Sequence, residues 1–233
     1  LTAGHDPCRR TVDVSPAMVL VASQTVGRTL GISPGQSGAG VVCDLLTTGD
    51  LAEILDGLCP PGAARLVSFF GMIPNFEPQV ILPKLSALIR PGDALLFSAN
   101  LAPGDDYAAG VRQILPQYNN PLTSDWLLTA MLDLGVDRAD GTVVWRVEAC
   151  SSGADLLRVA AYFRFARPRI LTVAGEKFDF RMGDSIRLFF SYRYTPERIR
   201  AHLNQHGLTV LDQWLTQSGE EGIFLCHNSL CRP

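Results

Sequence analysis

The stretch Leu66-Val67-Ser68-Phe69-Phe70-Gly71-Met72-Ile73-Pro74-Asn75-Phe76 narrows the architectures open to this chain. It starts as a short apolar run, the mark of a strand buried on both faces. It ends in Gly71, Pro74 and Asn75, residues that turn a backbone and present polar groups. Glu77 and Pro78 then open a helical pattern of Val80, Ile81, Leu85, Leu88 and Ile89. A buried strand running through a turn into a helix is the βα junction of an open α/β sheet, and ligands bind at the carboxyl ends of such strands. Asn75 stands at that position. It also suits a second role, as a cap of the helix that follows.

The same unit recurs upstream. Arg10 to Ser15 reads as a strand end and a helix start, with Ser15 as cap and Pro16 at the first helical position. Met18, Val19, Ala22, Val26 and Leu30 continue at helical spacing. Gly40 to Leu45 is the next strand, and Asp50 to Leu58 the next helix. Pro91-Gly92-Asp93 makes a turn before the buried strand Ala94 to Asn100. Strand and helix alternate from Thr11 to Asn100, which predicts a parallel sheet. Asp13 and Asp44 close two of its strands. Acidic side chains there accept hydrogen bonds from ribose hydroxyls in nucleoside-binding α/β proteins, and they also serve as simple solvated or capping carboxylates. The glycine-rich run Gly35 to Gly40 precedes a strand, where a phosphate-binding fingerprint must follow one. It therefore reads as a connection.

The pattern changes after Asn100. Gly104 to Leu115 and Thr123 to Leu134 read as helices joined by Tyr118-Asn119-Asn120-Pro121. Val143 to Ala149, Leu156 to Phe165, Arg169 to Phe180 and Ser185 to Tyr194 alternate apolar and polar residues, as antiparallel strands with one wet face do. Thr195 and Pro196 start a helix that stops at Gly207, and Leu208 to Gln213 and Gly222 to Cys226 close the chain as a hairpin. The expected fold class is α/β, with residues 1–102 and 195–233 in one α/β unit and 103–194 in an inserted α+β lobe. At 233 residues and 47% hydrophobic content the chain can bury such a core. Trp126, Trp145 and Trp214 are expected to pack in it. Arg164, Arg167, Arg169 and Arg181 are expected on the wet face of the lobe.

A net charge of −3 supplies no long-range pull towards nucleic acid or an anionic membrane. Cysteines scattered without a CxxC pair fit a reducing compartment, so a cytoplasmic location is expected. His202 and His206 stand at i and i+4 but lack a third ligand, and no metal is expected.

Several short motifs fall in one order: Phe69-Phe70-Gly71 with Asn75-Phe76, Pro91-Gly92-Asp93, Tyr118-Asn119-Asn120-Pro121, and Ser191-Tyr192-Arg193-Tyr194-Thr195. From about Val12 to Cys226 that order resembles the histidine-specific, S-adenosylmethionine-dependent methyltransferase family of the ergothioneine-pathway type. The resemblance implies a Rossmann-like class I methyltransferase sheet with an inserted substrate lobe, S-adenosylmethionine as cofactor, and a small-molecule amine as substrate. It gives Asp13 the ribose contact and places Asp44 and Leu45 at the adenine. Gly71 falls beside the cofactor, in the loop that lies between cofactor and substrate. Asn75, Tyr118 and Ser191 fall at the substrate. Phe189 occupies the place of the family's acidic residue, flanked by Leu188 and Phe190, so a substrate more apolar than free histidine is expected. Asn100 to Gly104 replaces the family's usual acidic run. The family's first strand and glycine-rich turn belong some tens of residues before Asp13. Either residues upstream of Leu1 supply them, or the chain is a degenerate copy whose sheet is rearranged. The alternative function is then a non-catalytic binding protein of the same fold.

Overall fold

The computed structural model describes residues 9–29, 31, 40–150 and 155–229. The glycine run read as a connection lies outside them, apart from Gly40. The chain opens with β1 (Thr11–Asp13), α1 (Pro16–Thr29) and β2 (Gly40–Val42). β1 and β2 pair in parallel, Thr11 opposite Gly40 and Asp13 opposite Val42. Here the glycine is required by proximity: a Cβ on Gly40 would sit 2.2 Å from Val19 Cγ1 of α1.

Next come α2 (Leu51–Gly57), β3 (Leu66–Phe69), a short 3-10 turn (Ile73–Asn75), α3 (Pro78–Leu88) and β4 (Ala94–Asn100). β3 and β4 are parallel. The other edge of β4 takes β11 (Glu221–Asn228) in antiparallel pairing, and β10 (Leu208–Leu215) lies outside it. The alternation predicted one parallel sheet. The described residues instead form a two-stranded parallel sheet, β1-β2, and a mixed sheet in the order β10-β11-β4-β3. β1 pairs with β2 alone and β3 with β4 alone, so each presents an unpaired edge among the described residues. Val14 and Leu66, beside those edges, are 67% and 63% exposed. Apolar strands left half-paired hold their backbone hydrogen bonds weakly. Hydrogen exchange should accordingly find residues 11–13 and 40–42 protected by about 2 kcal/mol less than Leu95 and Phe97. Equal protection would show that the two sheets open as one unit.

The middle of the chain folds as α4 (Tyr107–Tyr118), α5 (Pro121–Asp133), β5 (Gly141–Ala149), β6 (Leu157–Phe165), β7 (Arg169–Val173), β8 (Glu176–Phe180) and β9 (Ser185–Arg193). β5, β6 and β9 form an antiparallel sheet in that order. Residues 169–180, expected as one strand, are a β7–β8 hairpin. Ala174 and Gly175 both adopt positive φ, 50° and 86°, the twist a two-residue hairpin turn needs. α4 starts three residues later than expected. Asp106 is its cap, accepting from the Ala109 amide at 3.0 Å. α5 starts two residues earlier, with Asn120 accepting from Thr123 and Pro121 in the first position.

β9 joins the two regions. Leu101 bridges Tyr194, the Tyr194 amide donates to Asn100 O, and the Ala102 amide donates to Tyr194 O. Side chains alternate across β9. One face, with Tyr192 and, beyond the strand end, Tyr194, enters the main core of Leu85, Leu95, Phe97, Phe224, Cys150 and Leu156. The other, with Phe189, covers a second cluster of Val111, Leu127, Trp145, Val159 and Ala161. α6 (Pro196–Gln205) follows, capped by Thr195 and buried through Ile199 and Leu203. Of the three tryptophans only Trp145 is buried. Trp126 is exposed because α5 turns Leu127, Leu128 and Met131 inward instead, and Trp214 is exposed on β10.

Two acid–base clusters hold the frame. Asp93 accepts from the Arg65 and Arg90 amides and the Arg65 side chain, tying the starts of β3 and β4 together. The Pro91-Gly92-Asp93 motif is thus a clamp at the sheet end opposite Gly71 and Asn100. Asp140, fully buried, pairs with Arg167 and Arg169. Both keep a solvent-facing side as expected, with 52% and 31% of their side chains exposed. In both clusters burial works against the charged carboxylate, but the hydrogen bonds outweigh it and hold each acid below its usual range.

Candidate functional site

The carboxyl ends of β3 and β4 place the central loop. Gly71 takes a positive φ of 71°, which favours glycine, and its amide donates to Ser98 Oγ of β4 at 2.8 Å. Ile73 and Pro74 plug into the core, leaving Asn75 exposed at the loop tip. Asn75 does not cap α3. That place belongs to Glu77, and the Asn75 amide nitrogen lies 3.5 Å from Gly71 O.

Glu77 ties this loop to the lobe. Its Oε1 accepts from Arg158 Nη1 of β6 at 2.9 Å, and its Oε2 accepts from the Tyr192 hydroxyl of β9 at 2.5 Å. Arg158 also reaches Glu148 at 2.8 Å, and Glu148 accepts from Tyr162 and Arg146. Cys150 Sγ stands 3.0 Å from the Tyr192 hydroxyl. Burial, with the neighbouring Cys150 and Glu77, pushes the Tyr192 hydroxyl far above its ordinary value, so it stays a neutral donor.

The opposite face of β9 gathers Phe189, Ser191 and Arg193. Ser191 is fully buried and Asn100 Nδ2 donates to its Oγ at 3.2 Å. The Tyr118 ring stacks on Phe189 at 5.6 Å and leans on Trp145 at 5.8 Å. Arg193 lies over that ring, 5.2 Å from its centroid, and donates to the Tyr118 hydroxyl. The Tyr107 hydroxyl fixes the strand beneath by donating to Arg193 O at 2.8 Å and accepting from the Leu157 amide. α4 can approach because Gly110 has no side chain: a Cβ there would meet Pro103 O at 2.2 Å.

Of the residues expected at the substrate, Tyr118, Phe189 and Ser191 are therefore brought together, and Asn75 stands on a loop anchored to the other face of β9. Leu188 packs with Phe189, but Phe190 turns away to lie against Arg158 and Arg187. Among the residues expected at the cofactor, Asp13 ends β1 and Asp44 follows the end of β2 by two residues, with the Cys43 amide donating to Asp13 O. Each holds the amide two residues ahead through Oδ1, Ser15 at 2.8 Å and Leu46 at 2.9 Å. Leu45 packs on the main core. No hydrogen bond among the described residues joins either aspartate to Gly71, Asn75 or Tyr118. Sequence reasoning missed Ser98, Trp145 and Arg193. The last carried a signal, an arginine two positions from Ser191 and four from Phe189 and therefore on their face of a strand.

His202 sits edge-on to Tyr194, and burial pulls its pKa down. No group of three or more His, Cys, Asp or Glu side chains is placed to hold a metal among the described residues, and no described helix is long and apolar enough to cross a membrane.

Residues 140–228 match the family of histidine-specific, SAM-dependent methyltransferases. Over 216 residues the chain is 28% identical to the histidine N-alpha-methyltransferase of Mycolicibacterium smegmatis, an alignment covering 85% of this chain and 62% of the relative. The chain thus spans about three fifths of that relative's length. An S-adenosylmethionine-dependent methyltransferase from Clostridium acetobutylicum aligns over 95% of this chain and 75% of its own, at 13% identity and a TM-score of 0.44. The glycopeptide N-methyltransferase MtfA, solved with S-adenosyl-L-homocysteine, aligns over 94% and 73%, at 13% identity and a TM-score of 0.40. The matched segment contains Phe189, Ser191 and Arg193, so over residues 140–228 this chain is similar to the histidine-specific, SAM-dependent methyltransferase family.

Proposed function

We propose that this protein takes part in methyl transfer from S-adenosylmethionine to the amine of a small amino-acid-like substrate. The observation that carries the reading is the meeting of Tyr118, Phe189 and Ser191, drawn from α4 and β9, beside Asn100 at the tip of β4. S-adenosylmethionine supplies a methyl group already activated by its sulfonium. The chain's own residues then have little acid–base work and mainly position the acceptor. Tyr118 and Asn75 hold the amino-acid end, Ser191 offers a buried hydroxyl, and Phe189 with Trp145 excludes water.

At the nucleoside end the residues present fit their expected role. Asp13 closes β1 and Asp44 lies just past β2, and the backbone amides of Ser15 and Leu46 fix one oxygen of each. The second oxygen of each is then oriented to accept from ribose or adenine groups. Gly71, with Ser98 behind it, lets the backbone pass close to the donor. Residues 103–194 act as the acceptor lobe and the remainder as the donor unit.

Calorimetry of the full-length protein with S-adenosylhomocysteine tests the donor half. Asp44→Ala should weaken binding by roughly 10-fold, the worth of a charge-assisted hydrogen bond. Unchanged affinity in a protein that binds the ligand would remove Asp44 from the site.

A further inference from the structure

Glu77 takes the cap position of α3, but its side chain makes no cap hydrogen bond. Ser, Thr, Asp or Asn serves a helix start better than Glu. The carboxylate instead reaches the lobe, accepting from Arg158 Nη1 at 2.9 Å and from the Tyr192 hydroxyl at 2.5 Å. The arginine answers the charge, and the hydroxyl is a second contact. Tyr192 is fully buried in the main core. Phenylalanine would fill the same space without a polar atom, and burying a hydroxyl is costly unless it is hydrogen-bonded. Here three groups surround it: Glu77 Oε2, Cys150 Sγ at 3.0 Å and Arg158 Nη1 at 3.0 Å. They belong to the entry of α3, the residue after β5 and the start of β6. Adjacent residues of a strand point to opposite faces. On one face of β9 Ser191 meets Asn100 at the tip of β4, and on the other Tyr192 meets Glu77. Asn75 lies two residues before Glu77, on a turn that packs against β9.

We infer that Tyr192 is a positioning residue for methyl transfer: through Glu77, its hydroxyl sets where the Asn75 loop stands over β9. The inference rests on the proposed methyl transfer and adds a residue that acts from behind the site. The start and middle of the loop have their own anchors, the Gly71 amide on Ser98 Oγ and the buried Ile73 and Pro74. Its end, after Asn75, is tied by Glu77. Arg158 does not fix that end alone, because its guanidinium is shared with Glu148 at 2.8 Å. Without the hydroxyl, Glu77 is free to follow the arginine. Tyr192 has no such freedom, since its ring is packed in the core and its backbone stands opposite Arg158 in the β6–β9 pairing. The ion pair thus supplies stability and the hydroxyl supplies register. Register decides the rate where catalysis is positioning, and a misplacement of about 1 Å costs on the order of 100-fold.

Tyr192→Phe removes one oxygen and keeps the ring. In the full-length protein it should lower kcat/KM roughly 10-fold for the best acceptor among histidine, leucine, phenylalanine and tryptophan, the worth of a hydrogen bond to a charged group. Binding of S-adenosylhomocysteine should stay unchanged, because the bonds that hold Asp13 and Asp44 involve neither Tyr192 nor Glu77. A purely structural role would lower the urea midpoint and leave kcat/KM per folded molecule intact. Glu77→Ala removes the acceptor of the same bond, so in a double-mutant cycle Tyr192→Phe should add nothing to it. Should Tyr192→Phe fail to fold, Glu77→Ala alone carries the comparison. Hydrogen exchange reads the loop without turnover. The Asn75 and Phe76 amides, bonded to Met72 O and Ile73 O, should exchange roughly 10-fold faster in Tyr192→Phe. Wild-type kcat/KM in Tyr192→Phe, an additive cycle, unchanged exchange, or donor affinity lost by the same factor as kcat/KM would each overturn the positioning role. If the wild type methylates none of the four amino acids, the methyltransferase reading falls and exchange alone decides. Faster exchange in Tyr192→Phe then keeps the hydroxyl as the anchor of the loop, and unchanged exchange removes it.

Discussion

Replacing Arg158 by methionine should destabilise the protein by about 3–5 kcal/mol, the cost of breaking a buried ion pair from one side. The Arg158 guanidinium meets Glu77 at 2.9 Å, Glu148 at 2.8 Å and the Tyr192 hydroxyl at 3.0 Å. Methionine fills similar volume and removes the charge, leaving Glu77 and Glu148 only 26% and 18% exposed without their shared cation. Burial opposes charging of Arg158, yet its contacts with Glu148, Tyr192 and Glu77 hold its pKa above the ordinary value. Urea unfolding measures the loss. A cost below about 1 kcal/mol would place the network with surface ion pairs, which contribute little. The triple variant Arg158→Met, Glu77→Gln, Glu148→Gln should recover part of the loss, because the remaining carboxyl positions are then neutral. The network also bears on the site. Glu77 follows Asn75 by two residues, so Arg158 and Tyr192 are what hold the Asn75 loop against the lobe.

Local signals were legible because local physics decides them. Ser15-Pro16 and Thr195-Pro196 marked two helix starts correctly, since a cap and a fixed φ act within a few residues. Gly104 misled. Its φ of 80° keeps it out of a right-handed helix, and the cap that counts is Asp106. Ala174-Gly175 went unread because alanine rarely takes positive φ, so residues 169–180 passed for one strand. The alternation of strands and helices was read correctly, but alternation does not report which strands pair. The split between β1-β2 and the β3-β4 sheet therefore needed coordinates. The site followed the same division. Tyr118, Phe189 and Ser191 were named from the resemblance. Their partners Arg193, Asn100 and Trp145 come from sequence separations such as 75 and 91 residues, which no periodicity encodes. The Asp93 clamp shows the converse: a motif read as part of a functional pattern turned out to fasten the far end of the sheet.

Free histidine should be a poor substrate, by about 10–100-fold in kcat/KM against an amino acid with an apolar side chain. The reason is the company of Phe189. Its ring stacks on Tyr118 at 5.6 Å and meets Trp145 at 5.9 Å, and Trp145 spends its indole donor on Ser124 Oγ at 3.1 Å. An imidazole entering this cluster gives up its water and finds no carboxylate to replace it, a loss of about 1–3 kcal/mol. A site that hydrogen-bonds a polar substrate rejects analogues lacking that group by large factors, and an apolar one lacks the means to favour it. Ser191 offers only a hydroxyl, which accepts from Asn100, and so does not replace the carboxylate an imidazole would need. The measurement is methyl transfer from S-adenosylmethionine by the full-length protein to histidine, leucine, phenylalanine and tryptophan under single-turnover conditions. Phe189→Glu provides the control, since a carboxylate there faces the imidazole and should shift the order towards histidine. Efficient methylation of histidine by the wild type, with the apolar amino acids inert, would show that Phe189 does not face the acceptor's side chain.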